Sequence, residues 1–133
     1  LSRDWHPKHH PSFAEEGGPW PVHCLQDTPG AAFHPGLRIP PEAVIITKGT
    51  RFDQDQNSAF DQTGLAVHLH KIGIKRLLVG GLAEDVCVLA TVLDVLAEGF
   101  AVSVIAAGTR PVTPAGGAAA RQKMRSAGAV LLQ

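Results

Sequence analysis

The chain has no tyrosine, one methionine and only two cysteines in 133 residues. It has no excess of either charge, with 12 Lys and Arg against 12 Asp and Glu. Each shortage excludes something. Without net charge or a basic run, the chain lacks the electrostatic footprint of a nucleic-acid or anionic-membrane binder. No apolar stretch approaches the roughly 20 residues of a membrane span, and no signal-peptide pattern opens the sequence. Cys24 and Cys87 lie far apart and in unlike contexts. A disulfide between them stays open, but a reduced, cytoplasmic protein with one chemically useful thiol fits better. At this length the chain is one domain or part of one, and its apolar fraction is ordinary for a globular core.

What is present is concentrated near the start. Asp4, His6, His10 and His23 fall in the runs Asp4-Trp5-His6-Pro7-Lys8-His9-His10 and Trp20-Pro21-Val22-His23. One carboxylate and three imidazoles can supply most of a divalent-metal shell. Prolines and the pair Gly17-Gly18 stiffen or bend the path between them. Trp5, Phe13 and Trp20 bracket the cluster, which suggests aromatic walls around a dry pocket. His9 neighbours His10, and only one of the two is expected to face the ion. A single His-x-x-x-His pair is common on solvated loops; four candidate ligands between aromatic residues shift the balance toward a metal.

Residues 1–42 are rich in Pro, Gly and His without sustained periodicity, and read as a long functional loop. Ala43-Val44-Ile45-Ile46-Thr47 is a short β-branched run, expected as a buried strand. Residues 49–62 are polar and irregular. A helix is expected from near Thr63 to Gly73, and a strand at Arg76-Leu77-Leu78-Val79 closed by Gly80-Gly81. Residues 85–98 read as a helix, apolar on most faces, with Gly99 as its C′ residue. Val102-Ser103-Val104-Ile105 is a third strand, residues 115–127 an alanine-rich helix ending at Gly128, and Val130-Leu131-Leu132 a last strand. This alternation predicts an α/β fold, a three-layer sandwich with a mainly parallel sheet. Ligands bind such sheets outside the carboxyl ends of the strands. Lys48, Gly80-Gly81-Leu82-Ala83 and Thr109-Arg110 fall there.

Cys87 lies in the first turn of the apolar helix, after a glycine pair and a strand-to-helix turn. Helix N-termini present backbone N–H groups and favour negative charge. A thiol held there ionises more readily and becomes a better nucleophile, and the same N–H groups can hold an oxyanion. The bland alternative is a small buried hydrophobe. Lys48 likewise reads either as a solvated charge or as a pocket lysine able to stabilise a thiolate. Cys24 adjoins His23 in a loop with no helix dipole and reads as structural.

Together these residues resemble the nicotinamidase (pyrazinamidase-type) branch of the isochorismatase-like cysteine hydrolases. The matching segments are Arg3-Asp4-Trp5-His6-Pro7 with His10 and Ser12-Phe13, then Trp20-Pro21-Val22-His23-Cys24, Gly30-Ala31 and Phe33-His34-Pro35. Thr47-Lys48-Gly49, Asn57-Ser58-Ala59-Phe60 and Gly81-Leu82-Ala83-Glu84-Asp85-Val86-Cys87-Val88 complete them. The similarity covers essentially the whole chain, in order and spacing. The resemblance implies that Asp4, His6, His10 and His23 bind one divalent ion, zinc first, with manganese or iron as alternatives. It implies Cys87 as nucleophile, Lys48 as its thiolate-stabilising partner, and the backbone N–H groups of Ala83 and Cys87 as oxyanion hole. It places a cis peptide at Leu82-Ala83 and a pyridine ring stacked on Trp20. The implied reaction is nicotinamide hydrolysis to nicotinic acid and ammonia through a cysteine thioester.

The chain departs from the family in places. The family's first strand, which carries a catalytic aspartate, has no counterpart before Leu1, so residues 1–133 are expected to be a single, N-terminally incomplete hydrolase domain, inactive as written. Val86 stands where an aromatic or histidine is frequent, and Asn57 where some relatives carry a tyrosine, so the substrate pocket near them is expected to be less aromatic. The expected partner is a small-molecule amide, with no nucleic acid and no membrane; homo-oligomerisation stays open. Three other readings compete: a related cysteine amidohydrolase acting on another small amide, a metallohydrolase with Cys87 inert, and a catalytically incomplete domain that retains metal binding.

Overall fold

Strand pairing begins with the first residues. The structure, a computed structural model, describes residues 1–133, and the chain forms two compact units, Leu1–Thr63 and Gly64–Gln133. In the first unit, β1 (Ser2–Asp4) and β2 (Ile46–Lys48) pair in parallel, with Ser2 opposite Ile46 and Asp4 opposite Lys48. The Trp5 N–H extends the ladder by donating to the Lys48 carbonyl at 3.0 Å. The expected strand over 43–47 is therefore shifted: Val44 and Ile45 precede the ladder and are about half exposed, at 51% and 45%. β-branched residues favour extended backbone, but a strand exists only where a neighbour takes its hydrogen bonds. The expected loop over 1–42 also needs correcting at its start, because β1 lies in it; three residues are too few to show a period. The rest of that segment is irregular, apart from single 3₁₀ turns at Ala14–Glu16 and Pro29–Ala31.

The second unit has the expected order of helices and strands. It runs α1 (Leu65–Lys71), β3 (Arg76–Leu82), α2 (Leu89–Ala97), β4 (Ala101–Arg110), α3 (Pro114–Ala127) and β5 (Val130–Leu132). The three strands lie side by side in the order β3-β4-β5, all parallel. Parallel neighbours need crossover helices, and right-handed crossovers in one direction place successive helices on the same face. Accordingly α2 packs on β4, and α3 packs on both α2 and β5. Val102 and Val104 point into that layer and are buried with Val92, Val95, Ala120 and Met124. On the opposite face Leu78, Ile105, Val130 and Leu132 are exposed.

Several boundaries differ from expectation; β4, expected over 102–105, runs on to Arg110. β3 runs through Gly80-Gly81 instead of closing there, with a register shift between Val79 and Gly81. Val79 faces Val104 and Gly81 faces Thr109, so the extra residues lie in β4; Gly81 itself sits at φ +120°, open to glycine and strained for other residues. The helix expected from residue 85 opens instead as a π turn over Glu84–Val88 before α2 begins. Gly99 and Gly128 end α2 and α3 at positive φ, as their place in the sequence predicts. No helix is long and apolar enough to cross a membrane.

Candidate functional site

The first unit gathers its imidazoles through the backbone. Side chains alternate along an extended chain, so Asp4 and His6 share one side of it and Trp5 takes the other. The His6 N–H donates to the Cys24 carbonyl at 2.8 Å, and the Gln26 N–H donates to the His6 carbonyl at 2.9 Å. These bonds stitch the loop of the twenties beside residue 6 and bring in His23. Gly49, just past β2, turns at φ +64° and offers its carbonyl to His6 Nδ1 at 2.7 Å. A Cβ on Gly49 would lie 2.4 Å from His6 Cε1, so the close approach requires glycine.

Those contacts fix which ring nitrogens are bare. A carbonyl oxygen only accepts, so His6 Nδ1 donates to Gly49, and His23 Nδ1 donates to the Pro21 carbonyl at 2.7 Å. In the neutral rings both Nε2 atoms then carry lone pairs, and they face each other at 3.2 Å. A cation between them, a proton or a metal ion, removes the repulsion. Two nitrogens on one tetrahedral zinc lie roughly 3.3 Å apart, from Zn–N bonds of about 2.0–2.1 Å. Asp4 converges on the same point: one ligand atom each from Asp4, His6 and His23 lies within 4.8 Å of the others. The residues present therefore fit a divalent ion.

His10 completes the cluster from a different direction. Its side chain is fully buried and stacks on His6 with ring centroids 4.0 Å apart. Its Nδ1 faces the Ser12 hydroxyl at 2.8 Å and accepts from the Ser12 N–H at 3.3 Å, while its Nε2 has no hydrogen-bond partner. Burial, reinforced by neighbouring His6 and partly offset by Asp55, holds His10 below the usual imidazole range. A neutral imidazole is the form that binds metal. His9, in contrast, is exposed and pairs with Glu16 at 2.7 Å. Phe13 forms the aromatic wall: it is 2% exposed and meets His6, His10 and His23 edge-on, with centroids 5.6–5.7 Å away. Trp5 does not line the cluster as the sequence suggested; the Arg3 guanidinium lies 4.1 Å from its ring. Trp20 is half-buried, and its backbone pairs with Ser12 and Ala14 beside Phe13.

Lys48 is not a solvated surface charge. It is 4% exposed, and its Nζ donates to Asp4 Oδ1 at 2.5 Å and to the Gln56 carbonyl at 3.1 Å. The Gln56 side chain in turn accepts from the Gly49 N–H at 3.1 Å, which ties the polar segment after β2 to the turn that holds His6. Asn57 follows directly and is half-buried. The structure thus brings Asp4, His6, His10, His23 and Lys48 together within one unit. It adds Asp55, whose carboxylate groups with His6 and His10 just as Asp4 groups with His6 and His23. In the sequence Asp55 is one residue of the polar, irregular stretch 49–62, and its place just after Lys48 is the available signal.

The second unit carries the thiol. The Leu82-Ala83 peptide is cis, at the bond the resemblance named. The chain then enters the π turn, in which the Ala83 carbonyl accepts from the N–H groups of Val86 and Val88 at 3.2 and 3.0 Å. Val86 and Cys87 are half-buried, and neither cysteine is in a disulfide. Two acids that the sequence reading passed over anchor this turn. Glu84 is fully buried and held by two hydrogen bonds from Arg121 of α3. Asp85 accepts from the N–H groups of Val112 and Thr113 at 2.8 and 3.4 Å. A Cβ on Gly116 would stand 2.2 Å from Asp85 Oδ2, so glycine there gives the carboxylate its room. π turns are often found at functional sites.

The isochorismatase domain family matches residues 1–133. The chain belongs to the isochorismatase family. Among its relatives, the nicotinamidase of Escherichia coli is 39% identical over 98% of this chain and 72% of its own length. Solved structures similar to this chain include the following two. The pyrazinamidase of Pyrococcus horikoshii in complex with zinc is 43% identical, with a TM-score of 0.94 over 99% of this chain and 73% of that one. PnC1 from L. infantum in complex with nicotinate is 42% identical, with a TM-score of 0.95 over 99% of this chain and 69% of that one. The isochorismatase-like fold that the resemblance implied is the one these structures share.

Proposed function

We propose that this chain carries the metal-binding and nucleophile residues of a nicotinamidase-type amidase, an enzyme that hydrolyses nicotinamide to nicotinic acid and ammonia. The observation that carries the reading is the convergence of Asp4, His6, His10 and His23, with two bare imidazole nitrogens 3.2 Å apart. Relatives named nicotinamidase, a neighbour holding zinc and a neighbour holding nicotinate support it.

The chain's own residues take these roles. Asp4, His6, His10 and His23 would hold a divalent ion, with zinc the first choice. When bound, the ion supplies a Lewis-acidic point that orients the pyridine ring through its nitrogen. Trp20 supplies an aromatic face for the ring, and Val86 and Asn57 contribute to substrate recognition. The resemblance assigns Cys87 as the nucleophile and gives Lys48, a buried ammonium of the first unit, the role of the family's catalytic lysine. Sulfur attacks the carboxamide carbon, and the Ala83 and Cys87 N–H groups stabilise the developing oxyanion. The carbon–nitrogen bond breaks, and the thiol's proton leaves with the nitrogen as ammonia. Water then cleaves the thioester, releasing nicotinic acid and restoring the thiol.

A second reading, an amidase for a different small carboxamide, draws on Val86 and Asn57 as departures near the pocket. Ammonia release by the purified protein from nicotinamide, pyrazinamide and a series of aliphatic amides separates the two. Turnover of nicotinamide well above the aliphatic amides is expected; the reverse order would replace the first reading with the second.

A further inference from the structure

Asp55 lies in none of the segments that carry the resemblance, yet it has the geometry of a metal ligand. His10 is the starting point. Its Nε2 is buried and has no hydrogen-bond partner, a state that costs free energy and is rare for a buried polar atom. The atom that faces it is Asp55 Oδ1 at 3.9 Å. That gap is too long for a hydrogen bond, but it suits two donors of one ion: ligands at about 2.0–2.2 Å from a shared metal lie roughly 3–4 Å apart. His6 contributes to both groupings, Asp4-His6-His23 and His6-His10-Asp55. It has a single bare nitrogen to give, because Nδ1 is committed to Gly49. One ion bound at His6 Nε2 therefore draws on both sets.

Charge and local geometry agree. Asp4 Oδ1 is engaged by the Lys48 ammonium, which withdraws part of the only other carboxylate near the cluster. A second carboxylate restores the balance for a dication. Asp55 is also held in place. Its Oδ1 accepts from the Gln56 N–H at 2.8 Å, and Gln56 is the residue whose carbonyl receives Lys48.

We infer that Asp55 is a ligand of the ion held by the histidine cluster, joining it through His6 and His10. The inference rests on the metal-site reading above, and its test keeps the two apart. Zinc affinity is measured by chelator competition, and cobalt(II) spectra are recorded, for the unaltered protein and for the Asp55→Asn, Asp55→Ala, Asp53→Asn and His6→Ala variants. Asparagine retains the acceptor for the Gln56 N–H and removes the charge, so it separates ligation from local backbone support. Loss of about tenfold or more in zinc affinity is expected in both Asp55 variants, with a changed cobalt(II) visible spectrum, while Asp53→Asn matches the unaltered protein. Zinc binding by Asp55→Asn equal to the unaltered protein, or weakened binding with an unchanged cobalt spectrum, would overturn the assignment and leave the metal site standing. Absence of zinc binding in the unaltered protein, or full binding in His6→Ala, would overturn the metal site and the assignment with it.

Discussion

In Leu1–Thr63 the only strands are two of three residues each, and the buried side chains include His6, His10, Ser12, Lys48, Gln56 and Ser58. In Gly64–Gln133 three parallel strands lie under two helices, and the interior is Val88, Val92, Val95, Phe100, Val102, Val104 and Met124. The first unit is organised around polar atoms that need partners. The second is organised around apolar area removed from water, a driving force that is non-directional and tolerant of detail. The contrast teaches where each unit is vulnerable. Satisfying imidazoles and an ammonium demands particular atoms at particular distances, so the first unit should respond to metal and to single-atom changes. The second should respond to lost volume.

Four changes would break or sharpen that contrast. The largest effect is expected from Cys87→Ala, which should reduce nicotinamide turnover by roughly 10⁴-fold or more, as loss of a covalent nucleophile does. Zinc content should stay unchanged, because every proposed ligand is in the other unit; ammonia assays and metal analysis check the two halves of the statement. Next comes Met124→Ala. Truncating this fully buried side chain should cost about 2–5 kcal/mol, read by denaturant unfolding. Hydrogen exchange should locate the loss in Gly64–Gln133.

Gly49→Ala should act on the first unit instead. Its methyl group meets the His6 ring and its φ is left-handed, so zinc affinity should fall by about 10–100-fold. Protection of amides in the second unit should not change; a global loss of protection would contradict the separation of forces. The smallest effect is expected from Thr113→Ala. Thr113 caps α3 by accepting from the Gly116 N–H at 3.0 Å, and losing the cap should cost about 1 kcal/mol. Thermal unfolding of the variant, with zinc titration as the control, measures it.

The same contrast explains what was legible in the sequence. The elements from α1 to β5 could be read because apolar runs alternate there with helix-length segments, and glycines follow α1, α2 and α3. β1 could not, because Ser2-Arg3-Asp4 is a polar run without the apolar composition of β5, and β2 was displaced because β-branched composition begins before the point where pairing starts. Asp4, His6, His10 and His23 were legible as residue types at metal-like spacing. Their supporting bonds were not: the carbonyls of Gly49 and Pro21 leave no trace in residue identity. Phe13 was named among three aromatic residues, but sequence could not say that it, and not Trp5, packs on the rings; alternation along the extended chain decides that. Glu84, Asp85 and Asp55 escaped notice for a common reason. An acid in a loop or at a helix start is an ordinary surface residue until tertiary structure supplies Arg121, the start of α3, or His10 as its neighbour.

The carbonyl of Gly49 has a consequence for how this protein can change over time. Because main-chain oxygens at residues 49 and 21 choose which nitrogen of His6 and His23 is basic, the lone pairs on offer to a cation are set by the course of the backbone. Substitutions in surrounding side chains can drift without switching a tautomer. A single-residue insertion between Lys48 and Gly49 would shift the oxygen out of reach and unset the ring, even though every candidate ligand remained in the sequence.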